Sequence, residues 1–112
     1  MNKKELNPNV SVDCVIFGFD MEQLYVLLID SGSTTSYSQA RMAVPGDLIY
    51  DTETLDEAAR RVLKELTGIE NIYLEQIGAF GDPDRIGKKA SDRKWLESIR
   101  AMPEARVITV AY

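Results

Sequence analysis

The chain has 112 residues, 45% of them hydrophobic and 28% charged, which bounds it to one small globular domain with a modest core. Its formal net charge of -5 argues against nucleic-acid binding by bulk electrostatics, and the absence of histidine removes the commonest general base and zinc ligand. One cysteine, Cys14, excludes an internal disulfide and fits a reducing cytoplasm; with no signal region and no run of membrane-spanning length, a cytoplasmic location without a membrane partner is expected.

Residues 1 to 8 are polar and end in Asn7-Pro8, so residues 1–9 read as a flexible leader and 10–112 as the domain. Val10 to Phe19 and Gln23 to Ile29, rich in β-branched and aromatic residues, predict a hairpin across Asp20-Met21-Glu22. In the first strand Ser11, Asp13, Val15 and Phe17 share a face, with Val12, Cys14 and Ile16 opposite. Asp13 is then a carboxylate amid apolar neighbours and is either bonded to nearby backbone or a ligand contact.

Ser31 to Gln39 is a Ser/Thr/Gly loop without periodicity, Met42 to Val44 a short strand, and Pro45-Gly46-Asp47 has turn chemistry. Thr54 followed three residues on by Glu57 forms a capping-box signature, Ala58, Ala59, Leu63 and Leu66 favour helix, and Gly68 supplies a left-handed stop. The spacing predicts one helix over 55–66. Glu70 to Phe80 holds another strand, followed by a tight loop, Gly81-Asp82-Pro83-Asp84-Arg85, whose arginine either faces solvent or meets a ligand. Ser91 can cap a short helix with Trp95, Leu96 and Ile99 on one stripe and a basic surround of Lys88, Lys89, Arg93, Lys94 and Arg100. Arg106 to Tyr112 is strand-like.

Between Asp47 and Ile69 the residues Glu53, Arg61, Leu63, Glu65, Gly68 and Ile69 occupy six of the nine fixed positions of the pattern G-x5-E-x7-R-E-U-x-E-E-x-G-U, where U is a bulky aliphatic residue. The stretch resembles a Nudix box, and Val44 to Ile49 is similar to that family's usual lead-in. Asp47 stands at the glycine position, and Val62 and Leu66 stand where glutamates are expected. In the family, glutamates at the positions of 62, 65 and 66 hold Mg2+ against a diphosphate. Val62 and Leu66 lie four apart on one helix face and offer no oxygen, so the resemblance implies neither a metal site nor catalytic residues nor a cofactor here. Glu65 is either an exposed partner of Arg61, four residues earlier, or a remnant metal ligand, and Arg60 and Lys64 can pair with Asp56 and Glu57. Asp47 is either a turn residue or a polar group facing the cleft.

Val10 to Asp13, Leu24 to Ile29, the degenerate box, Gly81 to Arg85 and Val107 to Tyr112 together resemble Nudix-related transcriptional regulators. That resemblance implies an α/β (α+β) fold, a Nudix-type α/β/α sandwich on a mixed sheet. It also implies a domain cut off at the C-terminus, with a winged-helix DNA-binding domain expected beyond Tyr112. The effector would be ADP-ribose or a pentose such as arabinose, bound through Asp13, Asp47, Glu65 and Arg85 and left uncleaved. A homodimer would meet operator DNA through the domain outside this chain. Two further readings stay open. One is a hydrolase of nucleoside diphosphate derivatives such as ADP-ribose, drawing nonstandard metal ligands from Glu53, Glu65, Asp82 or Asp84. The other is a Nudix-fold module that binds only protein.

Overall fold

A computed structural model of the chain describes residues 5–30, 42–83 and 106–112. Ser31 to Gln39, Arg85 and the stretch around Ser91 and Trp95 with its basic residues lie outside them.

The single helix among the described residues, α1 (Leu55–Thr67), forms because both of its ends are closed locally. The Thr54 hydroxyl accepts the Glu57 amide at 3.1 Å and a Glu57 carboxylate oxygen accepts the Thr54 amide at 3.0 Å, the reciprocal box read from the sequence. At the other end Gly68 takes φ 79° and donates its amide to the Lys64 carbonyl at 2.8 Å. Asp56 and Glu57 in the first turn and Lys64 in the last complement the helix dipole.

The helix lies on a four-stranded mixed sheet. Strands β1 (Leu6–Asp13), β6 (Gly46–Tyr50), β7 (Gly78–Phe80) and β8 (Ile108–Ala111) run in the order β6-β1-β8-β7, with β1 antiparallel to β6 and parallel to β8, and β7 antiparallel to β8. Two small ladders stand apart, β2 (Phe17–Phe19) with β3 (Leu24–Val26), and β4 (Ile29–Asp30) with β5 (Met42–Ala43). Helix residues Ala58, Ala59, Val62 and Leu63 close on Val12, Cys14, Val110 and Tyr112 from the sheet, all nearly sealed from solvent. The two alanines let the helix approach closely enough for the Cys14 thiol to donate to the Ala59 carbonyl at 3.4 Å. On β1 and β8, Ser11 and Thr109 are also buried, and their hydroxyls satisfy each other at 2.8 Å.

Several boundaries differ from the sequence expectation, each because of a non-local partner. The sheet starts at Leu6 rather than Val10, since Leu6 pairs with Tyr50 and the Asn7 amide donates to Asp51 at 2.7 Å. The expected long first strand ends at Asp13. Cys14 and Val15 then donate their amides to the carbonyls of Pro45 and Tyr112, and the chain resumes as β2 in a separate hairpin. That hairpin turns where predicted, with Asp20 accepting the amides of Glu22 and Gln23 and Met21 at φ 79°. Gly46 and Asp47 belong to a strand instead of a turn, paired with Asp13 and Val12. Of Glu70 to Phe80 only Gly78–Phe80 is strand; the preceding stretch folds along the helix, where Arg60 donates to the Ile72 carbonyl at 2.9 Å and Lys64 meets Glu70 at 3.0 Å. Those contacts replace the expected pairing of Arg60 and Lys64 with Asp56 and Glu57. Asp56 instead accepts the Tyr112 hydroxyl, and Glu57 is used in the cap.

Burial, with the nearby Asp13 charge adding to it, pushes the Cys14 thiol from 9.0 up to about 11. Burial and the hydrogen bond to Asp56 push the Tyr112 hydroxyl from 10.0 up to about 12. Both groups are held neutral in the fold, so each stabilises it fully below its unfolded value and loses that contribution as pH rises through its folded one. Thermal melts are expected to fall across about pH 9 to 12, and Tyr112→Phe should flatten the upper part of that fall. A flat profile up to pH 12 in the parent chain would contradict the burial of both groups.

Candidate functional site

The box is organised by Arg61 at mid-helix. Its guanidinium forms a fork on Glu53, with Nε to Oε2 at 2.8 Å and Nη2 to Oε1 at 2.7 Å. The same Nη2 donates to the Leu48 carbonyl at 3.1 Å, and Nη1 donates to Glu65 at 3.1 Å. The Tyr50 ring lies beneath it, with its centroid 4.3 Å from the guanidinium carbon. Glu53 in turn accepts the Tyr50 amide at 2.8 Å. Strand β6, the Asp51 to Glu53 turn and the helix are thereby tied into one unit. The Arg61 and Glu53 side chains are only 18% and 11% exposed, which strengthens the pair relative to a surface one, and the guanidinium's pKa is raised first by its hydrogen bond to Glu53.

Of the sequence-predicted site residues, Glu65 belongs to this unit, while Asp47 on β6 and Asp13 on β1 are offset by one register step and point to opposite faces of the sheet. Asp13 ends β1, half-buried, with its carboxylate lying over Gly46: a side-chain carbon built on Gly46 would come within 1.8 Å of Asp13 Oδ1. Only glycine fits there, because the clash extends to the Val12 carbonyl at 2.9 Å. Asp47 follows Gly46 on β6, exposed, with one carboxylate oxygen accepting the Leu48 amide at 2.7 Å. Glu65 is 57% exposed and makes the expected helix pair with Arg61. Arg85 lies outside the described residues. Sequence reasoning missed Tyr50 and the Leu48 carbonyl as partners of Arg61. The eight-residue separation of Glu53 from Arg61 placed those two in the motif but did not show that they grip each other.

Among the described residues, the box carboxylates are not gathered to hold Mg2+. Both Glu53 oxygens face the Arg61 guanidinium, and Glu65 gives one of its own to the same group. Val62 is fully enclosed in the core, whereas Leu66 is 42% exposed, so these two do not make one open face as the four-residue spacing implied. A carboxylate at 62 would point among Val12, Cys14 and Leu63.

Arg61→Lys keeps the charge but loses the fork and the ring contact, and is expected to lower stability by about 2–3 kcal/mol, whereas Glu65→Gln should change it by less than about 1 kcal/mol because that pair is exposed. Urea midpoints of the two variants check the ranking; equal losses would mean that Arg61 does not organise the box. Val62→Glu is expected to cost more than about 3 kcal/mol by burying a carboxylate, against roughly 1 kcal/mol or less for Leu66→Glu. The same unfolding assay decides it, and a Val62→Glu chain as stable as the parent would show that position 62 reaches solvent.

Comparison with known proteins agrees with this geometry. The ADPR responsive transcriptional repressor NtrR of Acinetobacter baylyi is 39% identical over 82 residues, covering 70% of this chain and 32% of that protein. The NUDIX domain of Shewanella oneidensis NrtR, solved in complex with ADP ribose, matches with a TM-score of 0.65 at 27% identity over 95% of this chain and 58% of that one. A MutT/nudix family protein from Enterococcus faecalis matches with a TM-score of 0.68 at 27% identity over 100% of this chain and 38% of that one. The chain thus spans about a third of the curated relative. The NUDIX domain model itself matches residues 7–105. With this coverage, a mixed sheet under the capped helix α1 and a box held by Arg61, the chain belongs to the NUDIX domain family.

Proposed function

We propose that this chain is the effector-binding part of a transcriptional regulator, and that it binds ADP-ribose without a metal ion and without cleaving it. The observation that carries the reading is the use of the box carboxylates. Glu53 and Glu65 are engaged by Arg61, and position 62 is core, so the helix serves as scaffold. The likeness to a repressor described as ADPR-responsive, and to an NrtR NUDIX domain solved with ADP ribose, supports this effector over a free pentose such as arabinose.

Without a metal, the diphosphate's charge needs a cation from the protein, and Arg85, two positions after Pro83 in the sequence, is the candidate for that role. Asp47, with Glu65 at the helix edge, offers an acceptor for sugar hydroxyls; Asp13, opposite Gly46 and one register step from Asp47, offers another from the other face of the sheet. A NrtR structure with a 27mer DNA supports operator DNA as the partner of the whole regulator. In this reading DNA is met by a winged-helix domain outside the chain, in a cytoplasmic homodimer. Among the described residues no helix is long and apolar enough to cross a membrane.

ADP-ribose near 1 mM is expected to raise the Tm in EDTA as much as in Mg2+, as mass action requires of a ligand bound only by the folded state, with no AMP released. Arabinose serves as the comparison ligand in the same assay. Mg2+-dependent release of AMP would make the protein a hydrolase, and stabilisation by arabinose alone would replace the effector.

A further inference from the structure

Behind α1, on the side formed by the stretch that folds back along the helix, lies a cavity of about 240 Å³. Its apolar lining is Leu63, Ile69, Ile72 and Leu74, and Arg60, Lys64 and Asn71 stand among the polar residues around it. For scale, a dry cavity of about 150 Å³ accommodates benzene. The charges around the cavity are unequally matched. Lys64 is met by Glu70 at 3.0 Å, and Arg61, which also lines the cavity, is held by Glu53 and Glu65. Among the described residues, Arg60 donates only through Nη1, to the uncharged Ile72 carbonyl, and no carboxylate pairs with it. One cationic fork with unused donors therefore stands beside an apolar hollow. Asn71, held at φ 62°, shapes the turn that carries Ile72 under Arg60.

We infer that this cavity is a second small-molecule site, taking a compact monocarboxylate with an aromatic or branched apolar body, whose carboxylate pairs with Arg60 while the body sits on Ile69, Ile72 and Leu74. A planar guanidinium fits a carboxylate in a fork, and the hollow rewards the apolar remainder. Glu70 beside Lys64 disfavours a dianion. Because Arg61 lines the cavity and also holds the box turn, an occupant would touch the box from behind the helix. The site is independent of the ADP-ribose reading, since it uses none of Asp13, Asp47, Glu65 and Arg85.

The test titrates the full chain, labelled with nitrogen-15, with benzoate, using benzyl alcohol as the uncharged ring and acetate as the ringless charge. Saturable amide shifts centred on Ile69 to Leu74 are expected with benzoate at millimolar concentrations, with both controls and Arg60→Gln weaker by about tenfold or more. Arg60→Lys, which keeps the charge, should fall between the parent and Arg60→Gln. The spectrum of each variant without ligand reports whether it is folded, and Arg60 is exposed enough for both to fold. Absence of saturation up to about 10 mM, shifts centred elsewhere, or equal binding by folded Arg60→Gln overturns the assignment.

Discussion

The Arg61 guanidinium joins three pieces of chain: the strand carrying Leu48 and Tyr50, the turn carrying Glu53, and the helix it belongs to. Its plane sets the geometry. A fork on one carboxylate, a third bond to a backbone carbonyl and a tyrosine ring beneath can be met together only by a flat, delocalised cation. Glu53 completes the loop by accepting the Tyr50 amide, so turn and strand are fixed by the same carboxylate. The rest of the box inherits its position from this grip. Asp47 and Gly46 are carried on the anchored strand, and Gly46 brings that strand against the Asp13 carboxylate.

A helix so held has two faces with different tasks. Toward the sheet, Ala58, Ala59, Val62 and Leu63 make up half of a small core, and a chain of this size has little apolar area to spare. Valine at 62 adds to that core at a position where a metal-binding protein would accept a carboxylate and its desolvation. Clustered carboxylates repel one another until a cation arrives, so their loss favours the folded chain in the absence of metal.

The helix was legible in the sequence because its determinants are local. Thr54, Glu57 and Gly68 act within a few residues of where they stand, and the Arg61–Glu65 pair follows from one helical turn. The sheet was less legible because its determinants are remote. Ser11 and Thr109 are 98 residues apart in the chain, and nothing in either's neighbourhood announces the other. Gly46-Asp47 was misread as a turn because glycine and aspartate favour turns, whereas here glycine is required by the Asp13 carboxylate opposite it. The exposure of Leu66 against the enclosure of Val62 was hidden for a related reason: residues four apart differ by some 40° around the helix, enough to cross the edge of a packed face. Of the site, the motif frame was legible and the grip that organises it was not.

On the proposed reading, the arrangement also separates affinity from turnover. A bound cation in phosphoryl chemistry strengthens its hold as charge develops in the transition state, which is where rate acceleration comes from. Fixed carboxylate acceptors for sugar hydroxyls have no such bias, since the hydroxyls do not change as the diphosphate reacts. Arg61, the box cation nearest the helix carboxylates, is committed to Glu53 and would have to abandon a nearly buried partner to follow a reacting phosphate. Leaving that partner unpaired would cost several kcal/mol, on the order of what the new contact would return. On that reading, contacts to the sugar hydroxyls would hold the ligand about equally at every stage of a reaction, and affinity drawn from them would add nothing to the rate of cleavage.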